Sequence, residues 1–296
     1  MNWQRGLGRR PKHLEPLKDK TTFKIGGRAR YFAEPADEED LRFLIRLARR
    51  RKKQVLILGA GSNLLVDDKG VDALVVCLSA TYFKKISFKG SSVEAGAGVM
   101  LARFIRDAAA RGLGGTEFLA GIPGTVGGAL IMNAGEGRLG RAIGDLIDRV
   151  RVMDYNGNIK ILAQKKARFG YRSSGLGKYI IVSASFRLRK STKGRICANI
   201  SRRLRQRWAS QDLRLPSAGC VFRNPPESPA ARLIELAGFK GRSVGDAAVS
   251  VRHANFIVNR RKATFGDVLK LMREVKSAVK RKFQVELEPE IRIWRN

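Results

Sequence analysis

Apolar and polar positions along this 296-residue chain change their spacing several times, and each change predicts an element. After TTFKIGGRARYFAEP, which ends in Glu34-Pro35, the run ADEEDLRFLIRLARRR carries acids first and bases last around an apolar stripe, which predicts an amphipathic helix. Gln54–Leu58 (QVLIL) is a short apolar run stopped by Gly59 and predicts a buried strand entering a tight turn. Short strand-like runs, ALVVCL and SVEAGAG, precede a helical stretch, MLARFIRDAAARG, closed by Gly112. Between 146 and 189 the spacing becomes strand-like, with Asn156-Gly157 as a hairpin signal. The basic STKGRICANISRRLRQRWAS at 191–210 reads as a connector leading into a helix. Beyond it come a loop-rich PSAGCVFRNPP, a helix around ARLIELAG, a strand at ANFIVN, a helix across FGDVLKLMREVKSAVKRKF and a last strand around ELEPEIRIW. The pattern predicts a polar leader over 1–20, a first domain over 21–195 and a smaller α+β lobe over 196–296.

Composition adds bounds. With 44% hydrophobic residues the chain is long enough to bury two cores. No apolar run reaches signal-peptide or membrane-span length, so the expectation is a cytoplasmic protein without a membrane partner. Cys77, Cys197 and Cys220 are widely spaced and lack histidine partners at ligand spacing, which argues against a disulfide framework or a metal site. The formal charge is +33, from 59 Lys and Arg against 26 Asp and Glu. That field attracts phosphate-bearing ligands and gives nonspecific polyanion binding, but no nucleic-acid module accompanies it, so no specific nucleic-acid partner is expected. No repeat or low-complexity tract interrupts the chain.

Two glycine clusters carry candidate chemistry. Gly59, Ala60, Gly61, Ser62 and Asn63 follow the predicted strand, where bare amides and two polar side chains suit a phosphate; a plain tight turn explains them equally well. Leu64 stands where a dinucleotide fingerprint needs its third glycine, which disfavours a Rossmann fold. The second cluster, GIPGTVGGALIMNAG, holds Gly121, Gly124, Thr125, Gly127, Gly128 and Gly135. It exposes more backbone than one turn requires, although glycine packing at a crossing accounts for Gly127-Gly128. Two such loops in one lobe favour a dinucleotide.

Taken together, TTFKIGG, GAGSNLLV, GIPGTVGGALIMNAG, FGYR, PSAGCVFRNPP, HANFIVN and LEPEIR resemble, in order, the motifs of the UDP-N-acetylenolpyruvoylglucosamine reductase (MurB) family, over residues from about 14 to the end. Lacking a long aromatic-bearing insertion, the chain is similar to the shorter subclass. The resemblance implies an α+β protein: a flavin-binding domain of the vanillyl-alcohol-oxidase and para-cresol-methylhydroxylase type, then a substrate-binding lobe. It implies non-covalent FAD reduced by NADPH, hydride delivery to C3 of the enolpyruvyl group of the UDP-sugar, and UDP-N-acetylmuramate as product, a step of peptidoglycan precursor synthesis. A monomer is expected.

By motif position, Arg172 in FGYR is the arginine that polarises the substrate carboxylate, a bidentate task suited to a guanidinium. Cys220 stands where the family usually carries a serine that protonates C2; a thiol is a better acid than an alcohol, at the cost of oxidation sensitivity. Glu290 matches the C-terminal acid that helps stabilise the enol, with Glu288 two residues away and, on a strand, on the same face. Tyr171, Arg223, Asn224 and His253 are expected to bind substrate, and Asn255 to border the pocket. Two other readings remain at this stage. A flavin oxidase would need a different second lobe, and neither His13 nor Cys77 sits in a covalent-anchor motif; a basic binding protein on a degenerate flavin fold would be expected to lose Arg172, Cys220 and Glu290.

Overall fold

The computed structural model describes residues 11–137 and 140–296; the first ten residues of the expected leader lie outside them. Among described residues the helices are α1 (Glu38–Arg50), α2 (Leu101–Ala109), α3 (Val126–Ile131), α4 (Lys193–Ser210), α5 (Ala230–Leu236) and α6 (Phe265–Phe283). One sheet has the order β1 (Lys12–Pro16), β2 (Arg28–Ala33), β5 (Val71–Cys77), β3 (Gln54–Leu58), the last two parallel. A five-stranded antiparallel sheet runs β10 (Ile159–Ala163), β9 (Ile147–Met153), β11 (Ile180–Arg187), β7 (Ser92–Gly96), β6 (Ile86–Lys89). A third sheet runs β13 (Ser217–Cys220), β16 (Phe256–Asn259), β15 (Ala247–Val249), β14 (Ser243–Val244), and two small pairs join β12 (Arg189–Lys190) to β8 (Leu113–Gly114) and β17 (Arg292–Trp294) to β4 (Leu64–Val66).

The chain forms two compact units. The first holds Arg30–Ala60 and Asp72–Arg205 with the described residues up to His13; the second holds Leu14–Ala29, Gly61–Val71 and Gln206–Asn296. The division is therefore not one cut near residue 195, and residues 14–20 are no free leader. Burial explains why: Phe23, Ile25 and Leu65 are inserted in the second core among Phe222, Ile257 and Leu271, and β4 pairs in parallel with β17, Leu64 opposite Arg292.

In the first unit, α1 begins where Asp37 Oδ1 accepts the N–H groups of Glu39 and Asp40 at 2.9 and 3.0 Å, a side-chain cap for donors that have no partner inside the helix. Leu41, Leu44, Ile45 and Ala48 recur at helical spacing and are buried. The β9–β10 hairpin turns through Asp154 to Asn158: the Asp154 carboxylate accepts the N–H groups of Asn156 and Asn158 and faces Lys160 at 3.1 Å. The Asn158 amide foremost, then Lys160, holds its pKa down to about 2 against the opposing effect of burial. Phe104 of α2 packs on Phe186 of β11, ring centroids 4.7 Å apart.

In the second unit, α6 starts in a capping box: Thr264 N–H donates to Asp267 Oδ2 (2.9 Å) and Asp267 N–H to Thr264 Oγ1 (3.1 Å). It buries Val268, Leu271, Met272, Val275 and Val279. Two sequence expectations are corrected. The segment 191–210 is no connector but the 18-residue helix α4, which buries only Ile196 among its residues. Glu288 and Glu290 lie before the last strand, which begins at Arg292, in an extended stretch held by an isolated bridge between Pro289 and Phe222.

Candidate active site

In the first unit the turn after β3 meets the second glycine cluster. An ideal Cβ built on Gly59 would sit 2.8 Å from Thr125 Oγ1, so the bare backbone of the first loop abuts the Thr125 side chain of the second. Thr125 caps the short helix α3, its Oγ1 accepting from Gly128 N at 3.2 Å. Gly127 is pressed on the chain leaving β7: its N–H donates to Ala97 O at 2.9 Å, and a Cβ there would fall 2.9 Å from Ala97 Cβ. Gly121, Pro123 and Gly128 are exposed, and the stretch from Gly124 to Gly127 is buried.

Arg172 projects from a tight turn in the same unit. Gly170 and Ser173 exchange main-chain hydrogen bonds of 3.0 and 3.2 Å, which leaves Tyr171 and Arg172 at the tip. Arg172 adopts a left-handed φ of 49°, a conformation that costs a non-glycine residue about 1–2 kcal/mol. Its Nη1 donates to Gly135 O at 3.2 Å, and its guanidinium lies 5.5 Å from the centre of the Tyr171 ring. The glycine cluster and the candidate arginine thus belong to one local assembly.

The second unit brings together the remaining candidates. Cys220 ends β13 opposite Phe256, directly after Gly219 at φ 78°. The next residues run beside the C-terminal acids: Glu290 N–H donates to Val221 O at 2.7 Å, and Arg223 N–H donates to Glu288 O at 2.9 Å. Glu288 is exposed and pairs with Arg223 at 3.5 Å, the simple salt bridge that separates it from the half-buried Glu290. Gly61 belongs to this unit, where Thr22 N–H donates to its carbonyl at 3.1 Å, and half-buried Ser62 follows it. Asn63 Nδ2 donates to Glu290 O at 3.2 Å, so its amide grips the acid-bearing segment. Asn224 Oδ1 accepts from Ala230 N at 3.0 Å and tethers the start of α5. His253 packs edge-on to Phe256 at 4.8 Å, with Nδ1 buried, and burial pushes its pKa down.

Known proteins resemble the chain over both of its halves. Residues 29–163 match the FAD binding domain family, and residues 211–294 match the C-terminal domain of UDP-N-acetylenolpyruvoylglucosamine reductase. The chain is 44% identical over 287 residues to UDP-N-acetylenolpyruvoylglucosamine reductase 2 of Symbiobacterium thermophilum, covering 96% of this chain and 92% of that one. It is 42% identical to the Moorella thermoacetica reductase, covering 95% and 92%.

The chain belongs to the UDP-N-acetylenolpyruvoylglucosamine reductase (MurB) family.

The crystal structure of the MurB from Thermus caldophilus superposes with a TM-score of 0.83 at 37% identity, covering 97% of this chain and 99% of that one. A more distant likeness, to 6-hydroxy-D-nicotine oxidase of Arthrobacter nicotinovorans (TM-score 0.51, 16% identity, 64% of this chain and 44% of that one), shows the shared oxidase-type fold alone. The expected fold class, an FAD-binding α+β domain with a MurB C-terminal lobe, is thereby established.

Within the first unit of this MurB, packing against Thr125 and Ala97 accounts for Gly59 and Gly127, while Gly121 and Gly128 are exposed and leave main chain open for a flavin nucleotide's phosphates. Among the described residues no cluster of acids, histidines and cysteines could hold a metal, and no helix is long and apolar enough to cross a membrane. Sequence reasoning missed Asn133 and gave Asn255 only a place at the pocket border. Asn255, expected at the pocket border, is 2% exposed and clamps Phe222 on both sides, Nδ2 to its carbonyl at 2.7 Å and its N–H to Oδ1 at 2.9 Å. Asn133 is buried in the glycine cluster at φ 44°, and its only signal in the sequence was one amide inside an apolar run.

Proposed function

We propose that this MurB reduces the enolpyruvyl group of UDP-N-acetylenolpyruvoylglucosamine to the lactyl ether of UDP-N-acetylmuramate at the expense of NADPH, in peptidoglycan precursor synthesis. The observation that carries the site assignment is the pairing of the Cys220–Arg223 segment with the segment bearing Glu290, locked by the 2.7 Å bond from Glu290 N–H to Val221 O. Gly59–Asn63 and Gly121, Gly124, Thr125, Gly127 and Gly128 would hold FAD without a covalent link, and the bound flavin would supply the hydride-transfer chemistry between NADPH and C3 of the enolpyruvyl group.

Hydride arriving at C3 places negative charge on C2 and the adjoining carboxylate. Arg172 binds that carboxylate and stabilises the charge, a preset cation that needs no reorganisation as the charge develops. Cys220 Sγ–H gives its proton to C2, which completes the addition, and the thiolate recovers a proton from solvent. Glu290 accepts hydrogen bonds from the enolic form beside them. Tyr171 lines the sugar site, Arg223 and Asn224 contact the diphosphate, and His253, kept neutral by burial, serves in binding. The enzyme works as a cytoplasmic monomer.

The deciding experiment is anaerobic. NADPH bleaches the flavin of the purified enzyme, and UDP-N-acetylenolpyruvoylglucosamine restores the colour within the turnover time. Colour returned by oxygen alone would reject the reading in favour of an oxidase.

The charge adds a separate property. A recess of about 590 Å³ along α6 is lined by Arg242, Lys270, Arg273 and Arg281 against the single acid Glu274, and none of the site residues lines it. It supports nonspecific, salt-sensitive polyanion binding, seen as retention on heparin that collapses as salt rises.

A further inference from the structure

Three hydrogen bonds join the end of the glycine cluster to the turn that presents Arg172. Ser174 Oγ donates to Ile131 O at 3.0 Å, Asn133 Nδ2 donates to Gly170 O at 2.9 Å, and Arg172 Nη1 donates to Gly135 O at 3.2 Å. Two of the three use main-chain carbonyls of the cluster, which any residue would supply. Asn133 alone contributes a side chain from it.

That side chain is placed to act as a brace. Asn133 is 8% exposed, and its left-handed φ of 44° is one asparagine tolerates better than most residues. While Nδ2 reaches Gly170 O, its Oδ1 accepts the N–H of Gly144 at 3.0 Å, so donor and acceptor are both engaged and the amide has one orientation. Gly170 opens the tip whose second residue is Arg172, itself in a left-handed conformation that the surroundings must hold.

We propose that Asn133 is a positioning residue: through Gly170 it sets the Tyr171–Arg172 tip against the glycine cluster, so that the guanidinium stands ready for the substrate carboxylate. This rests on the reading above, in which Arg172 takes the carboxylate and the glycine cluster holds FAD. One amide then fixes the position of the arginine relative to the glycine cluster, without itself holding the cofactor.

The test uses Asn133→Asp, which keeps size, backbone preference and the acceptor for Gly144 but cannot donate to Gly170, and Asn133→Gly, which removes the brace while relaxing the backbone. Each is made in the native enzyme and with Arg172→Ala. The expected result is normal flavin absorbance per chain and an unchanged rate of bleaching by NADPH. Alongside these, KM for the UDP-sugar rises or reoxidation by it slows by about tenfold, the loss of one buried hydrogen bond. With Arg172→Ala already present, the same substitutions add little.

Equal losses in both backgrounds, or flavin content falling in step with activity, overturn the positioning role while leaving Arg172 in place. If Arg172→Ala itself leaves reoxidation by the UDP-sugar unchanged, the underlying reading fails and the positioning role with it. Should Asn133→Asp fail to fold, Asn133→Gly decides alone.

Discussion

Glu290 and Val221 are joined by a 2.7 Å hydrogen bond from amide to carbonyl, and this bond sets the spacing between the C-terminal acid and Cys220, one residue before Val221. If Cys220 supplies the proton to C2, Cys220→Ala lowers turnover by about 10²–10⁴, the usual worth of a positioned general acid. Flavin bleaching by NADPH stays as it was. Cys220→Ser retains most of the activity. Stopped-flow absorbance of the two half-reactions separates these outcomes.

A thiol donor brings a chemical liability. Mild peroxide inactivates the native enzyme while Cys220→Ser survives, although Cys77 and the exposed Cys197 remain in both. Residual activity against peroxide dose, with and without later thiol reductant, measures it.

Arg172→Lys keeps the charge and loses the planar fork. Bidentate recognition of a carboxylate goes with it, so kcat/KM for the UDP-sugar falls by about tenfold to a hundredfold, while NADPH oxidation by an artificial acceptor is unaffected. Steady-state kinetics with both acceptors check this.

Gly127→Ala drives a methyl to within 2.9 Å of Ala97 Cβ. Flavin content per chain falls, and Ala97→Gly in the same protein restores it by returning the lost space. Absorbance ratios of the purified variants give the answer directly.

Acid sensitivity follows from His253. Burial, the largest cause, with the charge of Lys240 in support, lowers its folded pKa below the ordinary value of 6.5. The folded state therefore resists protonation more than the unfolded chain does. Its contribution is fully present above the unfolded pKa and is lost as pH falls through the folded one. His253→Gln flattens the dependence of thermal stability on pH below about 6.5; melting temperatures measured across that range test it.

What the sequence disclosed depended on how local the cause was. The helix from Glu38 and the helix from Phe265 were legible because each carries an apolar stripe at helical spacing, buried in the structure through Leu41, Leu44 and Ile45 and through Val268, Leu271 and Val275. Helix α4 was read as a connector because burial selects a single residue in it, Ile196, and so leaves no stripe to see. Glu288 and Glu290 were expected on a strand, but Pro289 has no N–H to give and the ladder starts only at Arg292. Arg172, Cys220 and Glu290 were found through ordered motifs, and HANFIVN pointed to Asn255; that Asn133 and Asn255 act through carbonyls of residues far along the chain, Gly170 and Phe222, no local pattern could show.

The bond from Asn63 to Glu290 joins residues 227 positions apart, and its consequence is one of timing. On a ribosome adding about 5–20 residues per second, the early strand at Leu64–Val66 waits roughly ten to fifty seconds for its partner at Arg292–Trp294. Until the residues from Ala218 to Ile291 have emerged, Phe23, Ile25 and Leu65 have no core to enter. The nascent chain is exposed to aggregation throughout that interval, and losing Arg292–Trp294 leaves Leu64–Val66 without its parallel partner.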